Sequence, residues 1–247
     1  MITYPTLDVP VPYLTTVQMR EVDRAMVEDF HIDLIQMMEN AGRSLARLAR
    51  DRFLDGDPRG KTVIVLAGTG GNGGGGLVCA RHLHNAGADV RVYTTAADER
   101  LTSVPKHQMQ ILRAMDIFVG TVEDIARQEK NELVIDAIIG YSLRGAPEGA
   151  SAKLIEWANA CGSPILALDV PSGVDAAVGT VFEPAIRADA TMTLALPKVG
   201  LRVGAARDHI GELYLADISV PPALYAMPSL GLNVPPLFAH SDILRLD

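Results

Sequence analysis

The chain has 247 residues, 48% of them hydrophobic, and a formal charge of −8. That length supports one domain or at most two, and the acidic balance argues against nucleic acid or an anionic membrane surface as the main partner. Two cysteines far apart in predicted helices, Cys79 and Cys161, make no disulfide framework, and no run of about 18 apolar residues marks a membrane helix, so a cytoplasmic protein is expected.

Residues 1–13 carry three prolines and read as an extended arm, without the charged region and apolar core of a signal peptide. Thr15 with Gln18 forms a capping-box pattern that opens a helix through about Phe30, and Asp33 with Gln36 repeats it. The second helix places Leu34, Met38, Ala41, Leu45 and Leu48 on one stripe, expected to be core or subunit interface. Asp55 to Gly60 is a turn, and Val63 to Ala67 a buried strand. Glycine then occupies seven of the nine positions 68–76, which reads as a loop, followed by a helix with Leu77, Ala80 and Leu83 on one face. So much glycine points to close backbone approach or unusual torsions.

Strands are expected at Ala88–Thr95, Ile117–Val119, Leu133–Asp136, Pro164–Leu168, Ala190–Leu196 and Glu212–Ile218, with helices at Val104–Met115 and Ala150–Ala160. The proline-rich tail, 221–236, should wrap the surface. Alternating strands and helices predict an α/β fold: a Rossmann-like three-layer α/β/α sandwich around a mostly parallel central sheet. Residues 14–247 read as a single domain.

Ligands of open parallel sheets bind outside the carboxyl ends of the strands. Three segments fall at such ends: the glycine stretch after Ala67, Asp136 with Gly140, and Asp169 with Ser172. An aspartate directly after an apolar run is costly to bury unless paired or bound to a cation. Gly68, Gly70 and Gly73 spell the dinucleotide fingerprint, but the second strand ends in Thr94 and Thr95 instead of the acidic residue that pattern wants. No Gly-Lys-Ser/Thr follows, and Ser172 lacks the glycine flanks of a nucleophile elbow. His82 and His84 point to different helix faces, so they are not read as a zinc pair. Asp175 reads as an ordinary surface or capping residue, while Lys198 is left open.

The run Gly68-Thr-Gly-Gly-Asn-Gly-Gly-Gly-Gly-Leu-Val-Cys-Ala-Arg-His-Leu83 resembles the glycine signature of the NAD(P)H-hydrate epimerase family, the YjeF N-terminal domain. Met38-Glu-Asn-Ala-Gly-Arg43, Val134–Gly140, Leu168–Asp175, Ala188–Thr193 and Leu196–Gly200 are similar to further family blocks in the same order. The resemblance spans about residue 14 to the C-terminus. It implies a homodimer that interconverts the R and S epimers of hydrated NADH or NADPH (NADHX, NADPHX), a repair of damaged nicotinamide cofactor. By family position Asp169 is the acid–base group. A potassium ion would be held by Asn72, Asp136 and Ser172, oxygen donors suited to a hard cation. Gly71, Asn72, Gly73, Gly74 and Gly75, together with Gly140, Tyr141, Ser142, Leu143, Arg144, Gly145, Ala146 and Asp169, would line the nucleotide. The family's frequent C-terminal dehydratase domain has no counterpart in these residues, so a separate dehydratase protein is the expected partner.

The chain departs from the family at three of these positions. Gly71 and Gly75 stand where the family has an asparagine and an aspartate, and Tyr141 where threonine is common. The alternative expectation is therefore a catalytically impaired nucleotide-binding module of the same fold. A third is a scaffold whose amphipathic first helices, around Met37 and Met38, pack a partner or a second subunit.

Overall fold

The structure, a computed structural model, describes residues 3–128 and 131–246. Alternation along the strands sets its layers. In β1 (Thr62–Ala67), Val63, Val65 and Ala67 enter the core on one side of the sheet, and Ile64 and Leu66 the core on the other. After β2 (Asp89–Thr94) and β3 (Phe118–Gly120), β4 (Leu133–Ala137) and β5 (Ile165–Leu168) repeat that division: Ile135 and Leu166 face one way, Val134 and Ala167 the other. Strands buried on both faces need helices on both sides. One side receives α1 (Thr16–Glu28), α2 (Leu34–Phe53), α3 (Gly71–Asn85) and α4 (Ser103–Ala114). The other receives the short α5 (Val122–Ile125) and α6 (Gly149–Ala160).

With β6 (Ala190–Leu194), β7 (Glu212–Ala216) and β8 (Ile243–Arg245), the described strands form one sheet in the order β3-β2-β1-β4-β5-β6-β7-β8. Neighbours are parallel except β7 and β8. The strand order reverses between β1 and β4, which opens a crevice at their carboxyl ends. The expected Rossmann-like α/β fold is what the chain adopts.

Several boundaries differ from expectation. The first helix stops at Glu28, with the Thr15–Gln18 capping box formed. The glycine stretch is mostly helix: α3 begins at Gly71, and no glycine from 68 to 76 has a positive φ. Close approach, not torsional freedom, is what these glycines provide. A Cβ on Gly73 would lie 1.9 Å from the Gly68 carbonyl oxygen, and one on Gly76 2.5 Å from the Ala137 Cβ. α3 therefore seats on β4 and on its own incoming turn nearer than any side chain permits.

The tail is more ordered than proline content suggests, with the short helix α7 (Pro222–Tyr225) and the edge strand β8, while β7 ends at Ala216. The arm is pinned against that edge: Leu7 N–H donates to the Arg245 carbonyl at 2.8 Å and Arg245 N–H to that of Pro5 at 2.9 Å. The chain then passes Lys198, where Leu14 N–H bonds the Pro197 carbonyl at 2.7 Å and Val199 N–H that of Leu14 at 3.0 Å. Met37 and Met38 belong to the protein's own core, the first of the two places expected for this stripe. Both cysteines are free. Among the described residues no helix is long and apolar enough to cross a membrane.

Candidate active site at the strand switch point

Asp136 lies in β4 beside β1, and Asp169 is the residue after β5, so the topology brings both to the crevice. Asp169 takes φ +68, an uncommon torsion for a side-chain-bearing residue and one that clusters at functional sites. Its Oδ1 accepts from Lys198 Nζ in a short ion pair. The lysine is fully buried and also donates to the Leu194 carbonyl at 2.8 Å and Thr193 Oγ1 at 3.3 Å. A buried ammonium needs such partners, and with three donors it saturates them. Asp169 Oδ2 receives the Tyr141 backbone N–H at 3.2 Å.

Gly140 makes this closure possible. A Cβ there would meet Asn72 Oδ1 and Asp169 Oδ2, each at 3.1 Å. The cavity so formed is about 200 Å³, lined by Met19, Leu34, Met38, Leu194 and Ile218 as apolar walls. Its polar groups are Asp23, Asn72, Tyr141, Ser142 and Asp169, with Gly71 and Gly140 at the edge. That volume is below the roughly 300–1,000 Å³ of sites that swallow a drug-sized ligand, so it fits one ring of a larger molecule. Its rim is the N-terminus of α3, where Gly70 supplies no side-chain cap and the first N–H groups stay open.

Behind the cavity Asp136 is fully buried. It accepts from Ser172 Oγ at 2.6 Å, Ser172 N–H at 2.8 Å and Ile138 N–H at 3.2 Å, and among the described residues no cationic side chain pairs with it. Burial pushes its carboxyl up to about 6, against the pull of those hydrogen bonds. The Asn72 amide nitrogen is buried without a partner.

Of the residues singled out in the sequence, Gly71, Asn72, Gly140, Tyr141, Ser142 and Asp169 line the cavity together. Gly73, Gly74 and Gly75 are buried in α3, and Leu143, Arg144, Gly145 and Ala146 continue the loop beyond the cavity. Asp136 and Ser172 bond each other just behind it. Asp175 plays a local capping role, accepting from Ala177 N–H at 2.6 Å. His82 bonds Glu39 at 2.9 Å, and Asp98 pairs with Arg113 at 2.9 Å. Sequence reasoning left Lys198 open and missed Asp23. The readable signal for Asp23 was an acid on the apolar stripe of α1, four residues after Met19 and three before Met26.

Fold and site together define a Rossmann-like α/β protein with an acid–base ion pair and a ring-sized cavity at its switch point. Residues 34–200 match the family described as YjeF-related protein N-terminus. The chain belongs to that family. It is 47% identical to the NAD(P)H-hydrate epimerase of Dehalogenimonas lykanthroporepellens, over 88% of this chain and 86% of that protein. The NAD(P)H-hydrate epimerase of Rhodopirellula baltica is 36% identical, over 85% and 86%. The bifunctional NAD(P)H-hydrate repair enzyme Nnr of Salinibacter ruber is 35% identical over 85% of this chain, which spans only 41% of that longer protein. The crystal structure of yeast ynu0, YNL200c, superposes with a TM-score of 0.79 at 27% identity, over 96% of this chain and 100% of the yeast chain.

Proposed function

We propose that the chain interconverts the R and S epimers of hydrated NADH and NADPH, with Asp169 as acid–base group. The observation that carries this reading is the buried Asp169–Lys198 ion pair on the wall of a cavity sized for a single ring. The names of the relatives supply the substrate class. In a hydrated nicotinamide the reacting carbon bears a hydroxyl beside the ring nitrogen. A proton delivered to that hydroxyl lets it leave as water, and the nitrogen lone pair stabilises the iminium that remains. A carboxylate then takes a proton from the water that returns, on either face. Lys198 holds Asp169 through Oδ1, leaving Oδ2 as the oxygen for proton transfer. Apolar Met38, Leu194 and Ile218 keep bulk water away from the ring.

The glycine segment 71–75 and the loop 140–146 would carry the rest of the nucleotide, with the open N–H groups of α3 facing its phosphates. Asn72, Asp136 and Ser172 suit a potassium ion. All offer oxygen, the buried carboxylate has no cationic partner, and the orphaned Asn72 amide would be satisfied with its oxygen turned to a cation. When bound, the ion supplies positive charge that offsets Asp136. A homodimer and a separate dehydratase that consumes one epimer complete the proposal.

The impaired-module alternative rested on the glycines at 71 and 75. Gly75 is buried in α3 and does not line the cavity, whereas Gly71 does, so only the change at 71 bears directly on ligand contacts. The test is chromatographic separation of the two epimers after incubation with protein and potassium. Wild type should accelerate interconversion, and Asp169→Asn should lower the rate by about 10²–10⁴-fold. Interconversion at its spontaneous rate with wild type present would refute the reading.

A further inference from the structure

The cavity holds a second carboxyl group that the reaction above leaves unused. Asp23, half-buried on α1, lines it with Tyr141 and Asp169. The Tyr141 hydroxyl donates to Asp23 Oδ2 at 2.5 Å, and the Tyr141 backbone N–H to Asp169 Oδ2 at 3.2 Å. One tyrosine thus has a carboxyl group at each end. Among the described residues Asp23 Oδ1 has no hydrogen-bond partner, so one oxygen remains for a ligand.

The chemistry calls for two such groups. Moving a hydroxyl from one face of a ring to the other needs a proton donor where the group leaves and an acceptor where water arrives. Inverting glycosidases meet the same demand, at a carbon whose cation is stabilised by a neighbouring heteroatom. They use two carboxyl groups about 6.5–9.5 Å apart, with room for the water. Here Tyr141 stands between the two carboxyl groups, bonding one through its amide and the other through its hydroxyl, which holds them apart on the cavity wall. We propose that Asp23, oriented by Tyr141, is a second catalytic proton-transfer group, acting opposite Asp169 across the bound ring. This rests on the epimerase reading above.

In one direction Asp23 gives its proton to the departing hydroxyl. The C–O bond breaks, its electron pair leaves with the oxygen as water, and the ring nitrogen's pair forms the iminium double bond. A water beside Asp169 forms the new C–O bond on the other face, and Asp169 takes its proton. The two carboxyl groups have exchanged protonation states, so the other epimer reacts by the same steps with the roles reversed. Proton exchange with solvent resets the pair, and nothing is oxidised or reduced. Burial pushes Asp23 above the ordinary carboxylate range and the Asp169 charge adds to that, while the Tyr141 hydrogen bond and Lys198 oppose it. A raised carboxyl suits the donor, and the lysine-paired one the acceptor.

The experiment is to incubate each epimer of hydrated NADH with the full chain in water labelled with heavy oxygen, and to follow both inversion and label uptake into unconverted epimer. In Asp23→Asn, inversion should fall by on the order of 100-fold. Label exchange with retention should persist for one epimer, because Asp169 alone still releases and returns water on its own side. Tyr141→Phe should move the ratio the same way to a lesser degree, and it carries the readout should Asp23→Asn not fold. The proposal is overturned if Asp23→Asn inverts within about threefold of wild type, or if inversion and exchange fall in equal proportion for both epimers. A wild-type chain that inverts neither epimer overturns the epimerase reading itself.

Discussion

Asp136 should couple stability to pH and, through the cation proposed for its site, to potassium. Its carboxyl is fully buried, has no cationic side-chain partner among the described residues, and titrates near about 6 in the folded protein instead of 3.8. The folded state therefore holds this proton more tightly than the unfolded chain. The resulting stabilisation is complete below pH about 3.8 and is lost as pH rises through about 6. At 1.36 kcal/mol per pH step the gap is worth about 3 kcal/mol, which for a chain of this size is on the order of 6–12 °C in melting temperature. Above that range the buried carboxylate is uncompensated, and a bound cation would restore much of the loss. Thermal unfolding should be followed at pH 5 and pH 7.5, in potassium chloride and in tetramethylammonium chloride of equal ionic strength. Potassium should raise the melting temperature by several degrees at the higher pH and hardly at all at the lower. Asp136→Asn should remove both the pH dependence between these values and the potassium increment. It should also cost about 1–3 kcal/mol, because one of the N–H groups of Ser172 and Ile138 then faces an amide instead of an acceptor. Equal potassium increments at the two pH values, or an increment that survives in Asp136→Asn, would refute the reasoning.

Other outcomes follow from neighbouring residues. Gly73→Ala puts a methyl 1.9 Å from a backbone oxygen and should unfold the protein or lower its melting point sharply, whereas Gly71→Ala, whose nearest foreign atom is Met38 Sδ at 3.8 Å, should be neutral or gain up to about 1 kcal/mol of helix propensity, as read by circular dichroism melts. Gly75→Asp should destabilise without raising activity, since its Cβ would stand 2.8 Å from Leu168 Cδ2 and its carboxylate would be buried near Met38 and Ala41. Lys198→Met removes one member of a buried pair and should cost about 3–5 kcal/mol. Lys198→Met with Asp169→Asn should melt higher than Lys198→Met alone, and strict additivity of the two changes would argue against direct coupling.

What could be read from the chain alone was whatever had a local cause. The strands announced themselves because residues such as Val63–Ala67 are apolar on both faces, and the placing of Asp136 and Asp169 at strand ends followed from that. The capping residue Thr15 marked a helix start through a bond it makes three residues on. The glycine stretch misled because its cause is distant: Gly73 and Gly76 are small for the sake of Gly68 and Ala137, which only the packed sheet brings near. Lys198, left open, and Asp23, marked only by its place on the apolar stripe of α1, could not be assigned to the site for the same reason. Their partners Asp169 and Tyr141 lie 29 and 118 residues away in the chain. β8 was missed because a short edge strand beside prolines has too little periodicity to count.

The contacts that pin the arm reach almost from one end of the described chain to the other. During synthesis Pro5 and Leu7 emerge long before the strand they bond, around Arg245. Leu14 likewise waits for Pro197 and Val199, the neighbours of the lysine that holds Asp169. The nascent chain must therefore leave residues 5–14 undocked while the parallel strands assemble, and closing that long loop carries a late entropy cost. The brace beside the Asp169–Lys198 ion pair forms only once Pro197 and Val199 have emerged, so that pair depends on long-range closure and not on local folding.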